Sequence, residues 1–201
     1  MIPWTLLDYA SIPGSRDRLQ LYQRDRELSI RVGRAELMNS RQRNSEEALA
    51  RLACEVIADR KEARVLIGGL GMGFTLAAAL PLLSRKATLV VAELIPEVVK
   101  WNHGALGELN EHPLRDARVS VFEGNVLRLM EREKNGFDAI MLDVDNGPEA
   151  FTRESNDAIY GPKGLATAHA ALRRGGVLTV WSAAQSRTFT KSLQRQGFVV
   201  N

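Results

Sequence analysis

The feature that most constrains the fold is a run of short apolar segments that alternate with helix-like segments from about residue 63 onward. The apolar segments lie at residues 65–67, 87–92, 119–122, 137–142 and 177–181. Repeated β-α units with short connections predict an α/β fold, a Rossmann-like, doubly wound and mostly parallel sheet. The fourth segment is almost continuously apolar, as expected for a strand that is covered by helices on both faces of the sheet.

Helices are expected in the intervals between these strands, because apolar residues recur there at helical spacing. The predicted helices span residues 75–83, 96–109, 126–134, 163–173 and 186–196. Gly175 and Gly176 are predicted to form a turn before the fifth strand. Residues 198–200 are predicted to begin a sixth strand.

The first 44 residues differ in composition from the rest of the chain, since they are polar and rich in arginine. Residues 27–32 alternate between apolar and polar, Gly33-Arg34 supplies a turn, and residues 35–38 continue the alternation, which predicts a β-hairpin. Residues 19–22 are a candidate third strand. We therefore divide the chain into an N-terminal β-hairpin extension, 1–44, and a Rossmann-like domain, 45–201.

A helix is predicted at the start of the second region, from Asn44 to Arg60. Asn44 is a candidate N-cap, and Glu47 completes a capping-box pattern three residues later. Apolar residues follow at helical spacing. Cys54 lies within this helix and is interpreted as a small core residue rather than a nucleophile.

Composition excludes several functional classes. The chain has 201 residues, 45% of them hydrophobic and 25% charged, which suits one globular domain with a short appendage. The single cysteine, the lack of a long apolar run and the lack of a signal-peptide pattern predict a cytoplasmic protein without a membrane partner. The pI is about 9.2. The basic excess is thin and spread out, so no nucleic-acid partner is expected.

A glycine cluster follows the first predicted strand of the sheet. It contains Gly68, Gly69, Gly71 and Gly73. Glycines allow a tight turn and a close approach of the backbone to a ligand, at the edge where such sheets bind ligands. Phe74 stands where the dinucleotide fingerprint requires its last glycine, which disfavours a nicotinamide-dependent dehydrogenase. The alternative interpretation of the cluster is close packing of helix against strand.

The next two strand ends carry polar residues suited to a nucleoside. Glu93 ends the second strand, 20 residues after Gly73. A carboxylate at this position accepts hydrogen bonds from the vicinal hydroxyls of a ribose. Gly124 and Asn125 follow the third strand, where an amide can hydrogen-bond an adenine edge. A solvated glutamate and an ordinary turn asparagine are the alternatives.

Two carboxylates follow the fourth strand. Asp143 and Asp145 are two residues apart, so they share a side in extended backbone. Such a pair can bind a cation or remove a proton from an amine. The Asn-Gly-Pro sequence that follows is also compatible with a simple turn. The three histidines lack metal-ligand spacing, and no metal site is expected.

The order of these motifs resembles that of a class I S-adenosylmethionine-dependent methyltransferase fold. The motifs are the glycine loop, Glu93, Gly124-Asn125 and the Asp143–Asp145 segment. Within that superfamily, the chain most resembles the spermidine synthase-like aminopropyltransferases. The resemblance covers residues 63–182 and, more loosely, 19–60. It implies that Gly69, Gly71, Gly73 and Glu93 bind a nucleoside-sulfonium donor, S-adenosylmethionine or its decarboxylated form. It also places Asn125 near the adenine and the loop from Asp143 to Asn146 opposite an amine acceptor.

The chain departs from the family pattern at several motif positions. Polyamine synthases carry an aspartate in the glycine loop that holds the donor's amino group, and this chain has Met72 in that neighbourhood. The family's Asp-Ala pair after the third strand is Asn125-Val126 here. The family's Asp-Ser-Ser-Asp-Pro loop corresponds to residues 143–148, so its catalytic aspartate matches Asp145, Asn146 or neither. A tyrosine-histidine pair at the start of the first helix corresponds roughly to Ser45-Glu46.

These observations predict aminopropyl transfer to an amine, as in polyamine biosynthesis, with Asp143 orienting an amine and Asp145 accepting its proton. An S-adenosylmethionine-dependent methyltransferase and a non-catalytic binding protein that kept the fold remain as alternatives. A homodimer formed partly through residues 19–44 is expected, because hairpin strands have edges that proteins usually cover.

Overall fold

The computed structural model describes residues 2–144, 158–182 and 186–200. Its N-terminal part is a four-stranded antiparallel sheet of β1 (Thr5–Ser11), β2 (Arg18–Arg24), β3 (Glu27–Val32) and β4 (Ala35–Asn39), in that spatial order. The hairpin expected from residues 27–38 is β3 and β4, and the candidate third strand lies within β2. Strand β1 was not predicted, and it extends the hairpin to a sheet. One face of this sheet buries leucine and isoleucine side chains from β2 and β3.

Helix α1 spans Asn44–Val56 and connects the two sheets. The predicted cap is wrong, because Asn44 is the first helical residue and Arg43 occupies the N-cap position without a side-chain hydrogen bond. The helix also ends four residues before Arg60. Ile57 leaves the helical conformation there, and its side chain is fully buried.

The second sheet is the predicted Rossmann-like one. Its strands are β5 (Arg64–Gly68), β6 (Thr88–Glu93), β7 (Val119–Glu123), β8 (Phe137–Leu142) and β9 (Leu172–Val180). They run parallel in the order β7-β6-β5-β8-β9. The chain reverses its direction of winding between β5 and β8, and parallel sheets bind ligands beyond the strand ends at such a point.

In the part of the chain that the structure describes, six α-helices follow α1 and surround the strands of this sheet. They are α2 (Phe74–Ala79), α3 (Pro96–His103), α4 (Ala105–Glu108), α5 (Val126–Arg132), α6 (Pro162–Ala171) and α7 (Arg187–Arg195). Two short 3-10 turns, Leu80–Leu82 and Pro113–Arg115, accompany them. The single helix expected over residues 96–109 is divided into α3 and α4. Gly104 causes the break, because its ψ of −123° is not helical.

The predicted turn at Gly175-Gly176 is wrong, because both glycines lie inside β9. Strand β9 shifts its register against β8 between Phe137 and Ala139. The Arg60 guanidinium accounts for much of this geometry, since it donates to the carbonyl oxygens of Arg174 and Gly175 at 3.0 and 2.8 Å. The glycines accommodate the irregular strand instead of ending it.

The predicted sixth strand is also not formed by residues 198–200. Phe198 instead packs edge-on against His169, with ring centroids 5.0 Å apart. Val199 is 90% exposed. This segment therefore docks on α6 and adds nothing to the edge of the sheet.

One apolar core extends through both sheets. Its members include Leu21 and Ile30 of the small sheet together with Val65 and Val91 of the large one. The Trp101 indole N–H also donates to the Asp8 carboxylate of β1 at 2.9 Å. Within the described ranges, every helix is too short or too polar to cross a bilayer.

Candidate functional site

The glycine loop, residues 68–73, connects β5 to α2 at the carboxyl edge of the large sheet. Gly69, Gly71 and Gly73 have φ angles of +89°, +49° and +81°, in the left-handed region that favours glycine. A Cβ atom on Gly69 would overlap the Asp143 carbonyl oxygen. The loop is therefore close to the end of β8, as the sequence predicted.

Gly68 has a different role from the other glycines of the loop. A Cβ atom there would lie 2.9 Å from the Leu142 side chain and 3.0 Å from that of Val126. This glycine is needed for close packing between β5, β8 and α5. The packing interpretation of the cluster therefore applies to Gly68, while the loop after it bends toward the strand ends.

Glu93 joins the end of β6 to the glycine loop. One carboxylate oxygen accepts from the Leu70 N–H at 2.9 Å, and the other accepts from the Ile95 N–H at 2.8 Å. The side chain is only 8% exposed. Glu93 is therefore fixed by backbone donors at the position where the sequence predicted a ribose ligand, and a carboxylate oxygen can accept more than one hydrogen bond.

Gly124 and Asn125 lie at the same edge of the sheet. The Gly124 N–H donates to the Glu93 carbonyl at 2.7 Å, which holds the end of β7 beside that of β6. Asn125 is the N-cap of α5, and its side-chain oxygen accepts from the Leu127 N–H at 2.8 Å. The cap uses one acceptor site of the amide oxygen of Asn125, and the adenine contact of this side chain stays a prediction.

Asp143 follows β8 directly and completes this set of strand ends. Its N–H donates to the Gly68 carbonyl at 2.8 Å. Its carboxylate accepts from the Thr75 hydroxyl at 2.9 Å. Thr75 lies in the first turn of α2 and is buried. The structure thus brings Asp143 together with the glycine loop and with α2.

The electrostatic environment of Asp143 is unusual for a carboxylate. Burial raises the pKa of Asp143 from 3.8 to about 6. The Thr75 hydrogen bond lowers this pKa, whereas the negative charge of Glu46 raises it. Glu46 is in the first turn of α1 and is only 8% exposed. An acid with a pKa near 6 exchanges protons readily near neutral pH.

The second predicted catalytic residue, Asp145, lies outside the described residues, as does Asn146. The assignment of a proton acceptor in that loop therefore stays a prediction. Of the predicted site residues that the structure describes, Gly69 contacts Asp143 and Gly124 donates to Glu93. Leu70, the residue after Gly69, joins the two pairs through its N–H donated to Glu93.

Sequence reasoning missed several residues that contact the site. Thr75 and Glu46 set the environment of Asp143, and two asparagines support the glycine loop from outside. Asn102 donates to the Gly71 carbonyl, and Asn110 donates to the Met72 carbonyl, each at 2.8 Å. Isolated polar residues within a helix or loop carry no motif. The one usable signal is Asn102, a polar residue in an otherwise apolar stripe of a predicted helix.

Residues without an assigned chemical role are accounted for by the core. Trp101 is 4% exposed, Cys54 is 2% exposed, and Met72 is fully buried. Burial raises the pKa of the Cys54 thiol to about 11, which makes it a poor nucleophile. In the parts of the chain that the structure describes, no group of three histidine, cysteine, aspartate or glutamate side chains is arranged to hold a metal ion.

Comparison with solved structures shows that the chain has a spermidine synthase-like fold. It superimposes on spermidine synthase from Thermotoga maritima with a TM-score of 0.73 and 16% identity. A spermidine synthase in complex with the transition-state analogue AdoDATO gives 0.71 and 16%. A probable spermidine synthase from Corynebacterium glutamicum ATCC 13032 gives 0.59 and 13%.

The coverage of these alignments is asymmetric. They include 95%, 95% and 88% of this chain, but only 62% of each of the solved chains. No family model matches the sequence. No curated protein matches it either. The likeness is therefore one of fold.

Proposed function

We propose that this protein is a transferase that moves an aminopropyl group from decarboxylated S-adenosylmethionine to an amine. The observation that carries the proposal is the position of Asp143. It is a desolvated carboxylate with a pKa of about 6, held by Thr75 next to the glycine loop. The fold likeness supports the same reaction, since one similar structure is a spermidine synthase in complex with AdoDATO.

The donor would lie across the strand ends of the large sheet. Glu93 is positioned to accept hydrogen bonds from the ribose hydroxyls. The side-chain amide of Asn125 is positioned to contact the adenine. Gly69, Gly71 and Gly73 have no side chains, so they leave space for the sulfonium and its substituents beyond the ends of β5 and β8. The donor's reactive carbon would then lie near Asp143.

The chemistry requires little beyond alignment and one base. The lone pair of a neutral amine attacks the propyl carbon bonded to the positively charged sulfur, and the N–C bond forms as the C–S bond breaks. The electrons of the broken bond neutralise the sulfur, which leaves as the thioether of methylthioadenosine. A carboxylate accepts the proton that the amine loses. In this proposal Asp143 orients an amine and Asp145 accepts the proton.

The charge of the site favours the decarboxylated donor. Asp143 and Glu46 are acidic, and the charge of Glu46 is close enough to raise the pKa of Asp143. A donor tail that ends in an ammonium group is attracted by these carboxylates, whereas in a tail that also carries a carboxylate the repulsion of that group offsets the attraction. The same field concentrates a cationic amine acceptor.

Methyl transfer from S-adenosylmethionine is the second candidate, because Met72 gives it specific support. Met72 lies near the position of the family's donor-binding aspartate, and its side chain is fully buried. The loop therefore presents no carboxylate at Met72 to select a decarboxylated tail. A binding protein without catalysis is a third outcome, which the altered loop after Asp143 keeps open.

Ligand-dependent stabilisation separates these candidates. The protein would be heated with S-adenosylmethionine, its decarboxylated form, methylthioadenosine, S-adenosylhomocysteine and NAD in parallel. A ligand at 100 times its Kd stabilises the folded protein by about 2.7 kcal/mol, which is easily seen. We expect the largest shifts with the decarboxylated donor and methylthioadenosine. A preference for S-adenosylmethionine and S-adenosylhomocysteine would instead indicate a methyltransferase, and no shift would contradict donor binding altogether.

Turnover then tests the catalytic roles. With decarboxylated donor and a set of diamines, including putrescine, we expect methylthioadenosine to be released. Asp143→Asn and Asp145→Asn should each reduce kcat by about 100-fold or more, the usual contribution of a positioned acid or base. Asp59→Asn is the matched control, because Asp59 is an exposed aspartate that precedes the start of β5 rather than following the end of a strand. Full turnover by Asp145→Asn would overturn its role as proton acceptor.

We also propose a homodimer. The expected interface involves residues 19–44, and β1 adds an edge strand with exposed Leu6, Leu7 and Tyr9 next to that region. Unpaired strand edges with apolar side chains are usually covered by another chain. Light scattering after size exclusion should give twice the chain mass at micromolar concentration. A monomer alone would contradict the proposal.

A further inference from the structure

We propose that Asn102 and Asn110 are positioning residues that fix the glycine loop in the conformation that binds the sulfonium donor. The inference rests on the proposed function, and it concerns the layer behind the loop rather than the donor contacts themselves. Asn102 is near the end of α3, and Asn110 follows α4. The two side chains hold consecutive carbonyl groups of the loop, those of Gly71 and Met72.

Asn102 occupies a position where an apolar residue would be expected. Its side chain is 1% exposed, and asparagine has a low helix propensity. A buried amide lowers stability unless its polar atoms are hydrogen-bonded. Its NH₂ group donates to the Gly71 carbonyl at 2.8 Å and to the Val98 carbonyl at 2.9 Å. The amide thus ties the glycine loop to the backbone of α3.

The amide oxygen of Asn102 adds a second constraint on the loop. Among the residues that the structure describes, this buried oxygen has no hydrogen-bond partner. It lies 2.7 Å from the place where a Cβ atom of Gly73 would be. The oxygen therefore contacts the backbone of Gly73 closely, and only glycine fits opposite it. Such an incompletely satisfied amide is explained by a demand on loop geometry rather than by stability.

These anchors determine which way the loop's peptide groups face. A trans peptide directs its C=O and the following N–H to opposite sides. Because Asn102 holds the Gly71 carbonyl toward α3, the Met72 N–H is directed away from α3. Glu93 holds the Leu70 N–H in the same loop, and the Gly73 N–H donates to the Leu70 carbonyl at 2.7 Å. The orientation of the loop is therefore set from α3, from the turn after α4 and from the end of β6.

The two residues after Asn110 have a strained backbone conformation. Glu111 and His112 have φ angles of +58° and +56°, which non-glycine residues adopt rarely. The His112 N–H donates to the Gly107 carbonyl at 2.8 Å and closes this turn. This turn follows directly after Asn110, whose side chain donates to the Met72 carbonyl, and backbone strain of this kind concentrates at functional sites.

The test compares ligand binding in Asn102→Asp, Asn102→Ala and Asn110→Ala with binding in the parent protein. The probes are methylthioadenosine and decarboxylated S-adenosylmethionine, with Kd measured by calorimetry at a temperature where each variant is folded. Loss of a positioning hydrogen bond should weaken binding about tenfold for Asn102→Asp, which replaces the donor by a carboxylate facing a carbonyl. A smaller loss, about threefold to tenfold, is expected for Asn110→Ala.

Val98→Ala is the matched control, because Val98 is buried in the same helix and makes no side-chain hydrogen bond to the loop. It should lower Tm through a cavity and leave the Kd of the folded protein unchanged. Hydrogen exchange of the amides in residues 69–73 supplies a readout that needs no ligand. We expect faster exchange there in the asparagine variants than in Val98→Ala at equal Tm.

The outcomes separate this inference from the proposed function. Parent-like Kd values and parent-like loop exchange in the asparagine variants would overturn the positioning role and leave donor binding intact. If the parent protein binds no nucleoside but loop exchange rises only in the asparagine variants, the proposed function fails while the control of loop conformation is supported. Equal effects in Val98→Ala and Asn102→Ala would reduce Asn102 to a structural residue and overturn the inference.

Discussion

The two ends of β8 carry aspartates in opposite environments. Asp138, near the start of the strand, accepts hydrogen bonds from Arg60, from Arg173 and from the backbone N–H of Arg64. Asp143, just after the end, accepts from Thr75 and faces the charge of Glu46. The fold neutralises the buried charge of Asp138 with several donors, whereas it leaves the carboxylate of Asp143 with one hydroxyl donor and a like charge nearby.

The largest effect should come from removing the carboxylate at the start of the strand. Asp138→Ala leaves the backbone N–H of Arg64 and two partly exposed arginines without their acceptor, so we expect a loss of about 2–4 kcal/mol in the free energy of unfolding. Urea denaturation measures it. Arg51→Ala is the control, because the Arg51–Glu55 pair is exposed and should contribute less than about 0.5 kcal/mol. A loss below about 1 kcal/mol at Asp138 would erase the contrast between the two strand ends.

The carboxylate at the other end should have the opposite effect on stability. Because the pKa of Asp143 is raised from 3.8 to about 6 in the folded protein, its ionisation opposes folding above pH 6. Asp143→Asn should therefore be more stable than the parent at pH 7.5, by on the order of 1–3 kcal/mol. The advantage should shrink as pH falls from about 6 through 3.8, because Asp143 of the parent becomes protonated first in the folded state and then in the unfolded state. Urea denaturation at pH 7.5 and 4.5 tests this, and lower stability at pH 7.5 would contradict it.

Two substitutions should move the pKa of Asp143 in opposite directions. Thr75→Val removes the hydrogen bond that favours the carboxylate, so the pKa should rise further. Glu46→Gln removes the repelling charge, so the pKa should fall. Carbon NMR titration of labelled aspartate follows both. Shifts of the same sign in the two variants would show that Asp143 responds to a general change in burial and not to these two neighbours.

The smallest effect is expected for the second ion pair at the start of the sheet. The Arg64 guanidinium donates to both oxygens of Glu133, at 2.7 and 3.1 Å, but both side chains are about one-third exposed. The pair lowers the pKa of Glu133, so its contribution is present at neutral pH and is lost as pH falls through that pKa. Glu133→Gln should lower the free energy of unfolding by about 0.5 kcal/mol at pH 7. A loss comparable to that of Asp138→Ala would show that the partly exposed pair stabilises the fold as much as the buried aspartate does.

Local patterns were sufficient to predict most of the large sheet. The predicted strand at residues 137–142 matches β8 residue for residue, because a fully buried strand is almost continuously apolar, here with Asp138 as the one exception. The glycine loop and the strand-end residues Glu93 and Asp143 were also found, since a parallel sheet places these ends at one edge. Their association follows from topology once the alternation of strands and helices is recognised.

The errors have a common physical cause, which is that distant contacts override local preference. Gly175 and Gly176 have turn character, but Arg60, more than 100 residues away in sequence, binds the neighbouring carbonyls and keeps the strand going. Asn44 is a good cap, yet the helix begins one residue earlier than a cap there allows. Asn102 and Thr75 show the same limit at the site, because their importance depends on which backbone or side chain lies opposite.

The sulfur of Met38 in β4 has a consequence for how the chain can be rebuilt. A Cβ atom on Gly71 would lie 2.8 Å from this sulfur, so the small sheet and the glycine loop share a surface. The N-terminal sheet is therefore not an interchangeable module. A chimera that replaced residues 5–39 would also replace the side chain that packs against Gly71, so its glycine loop would have a different neighbour.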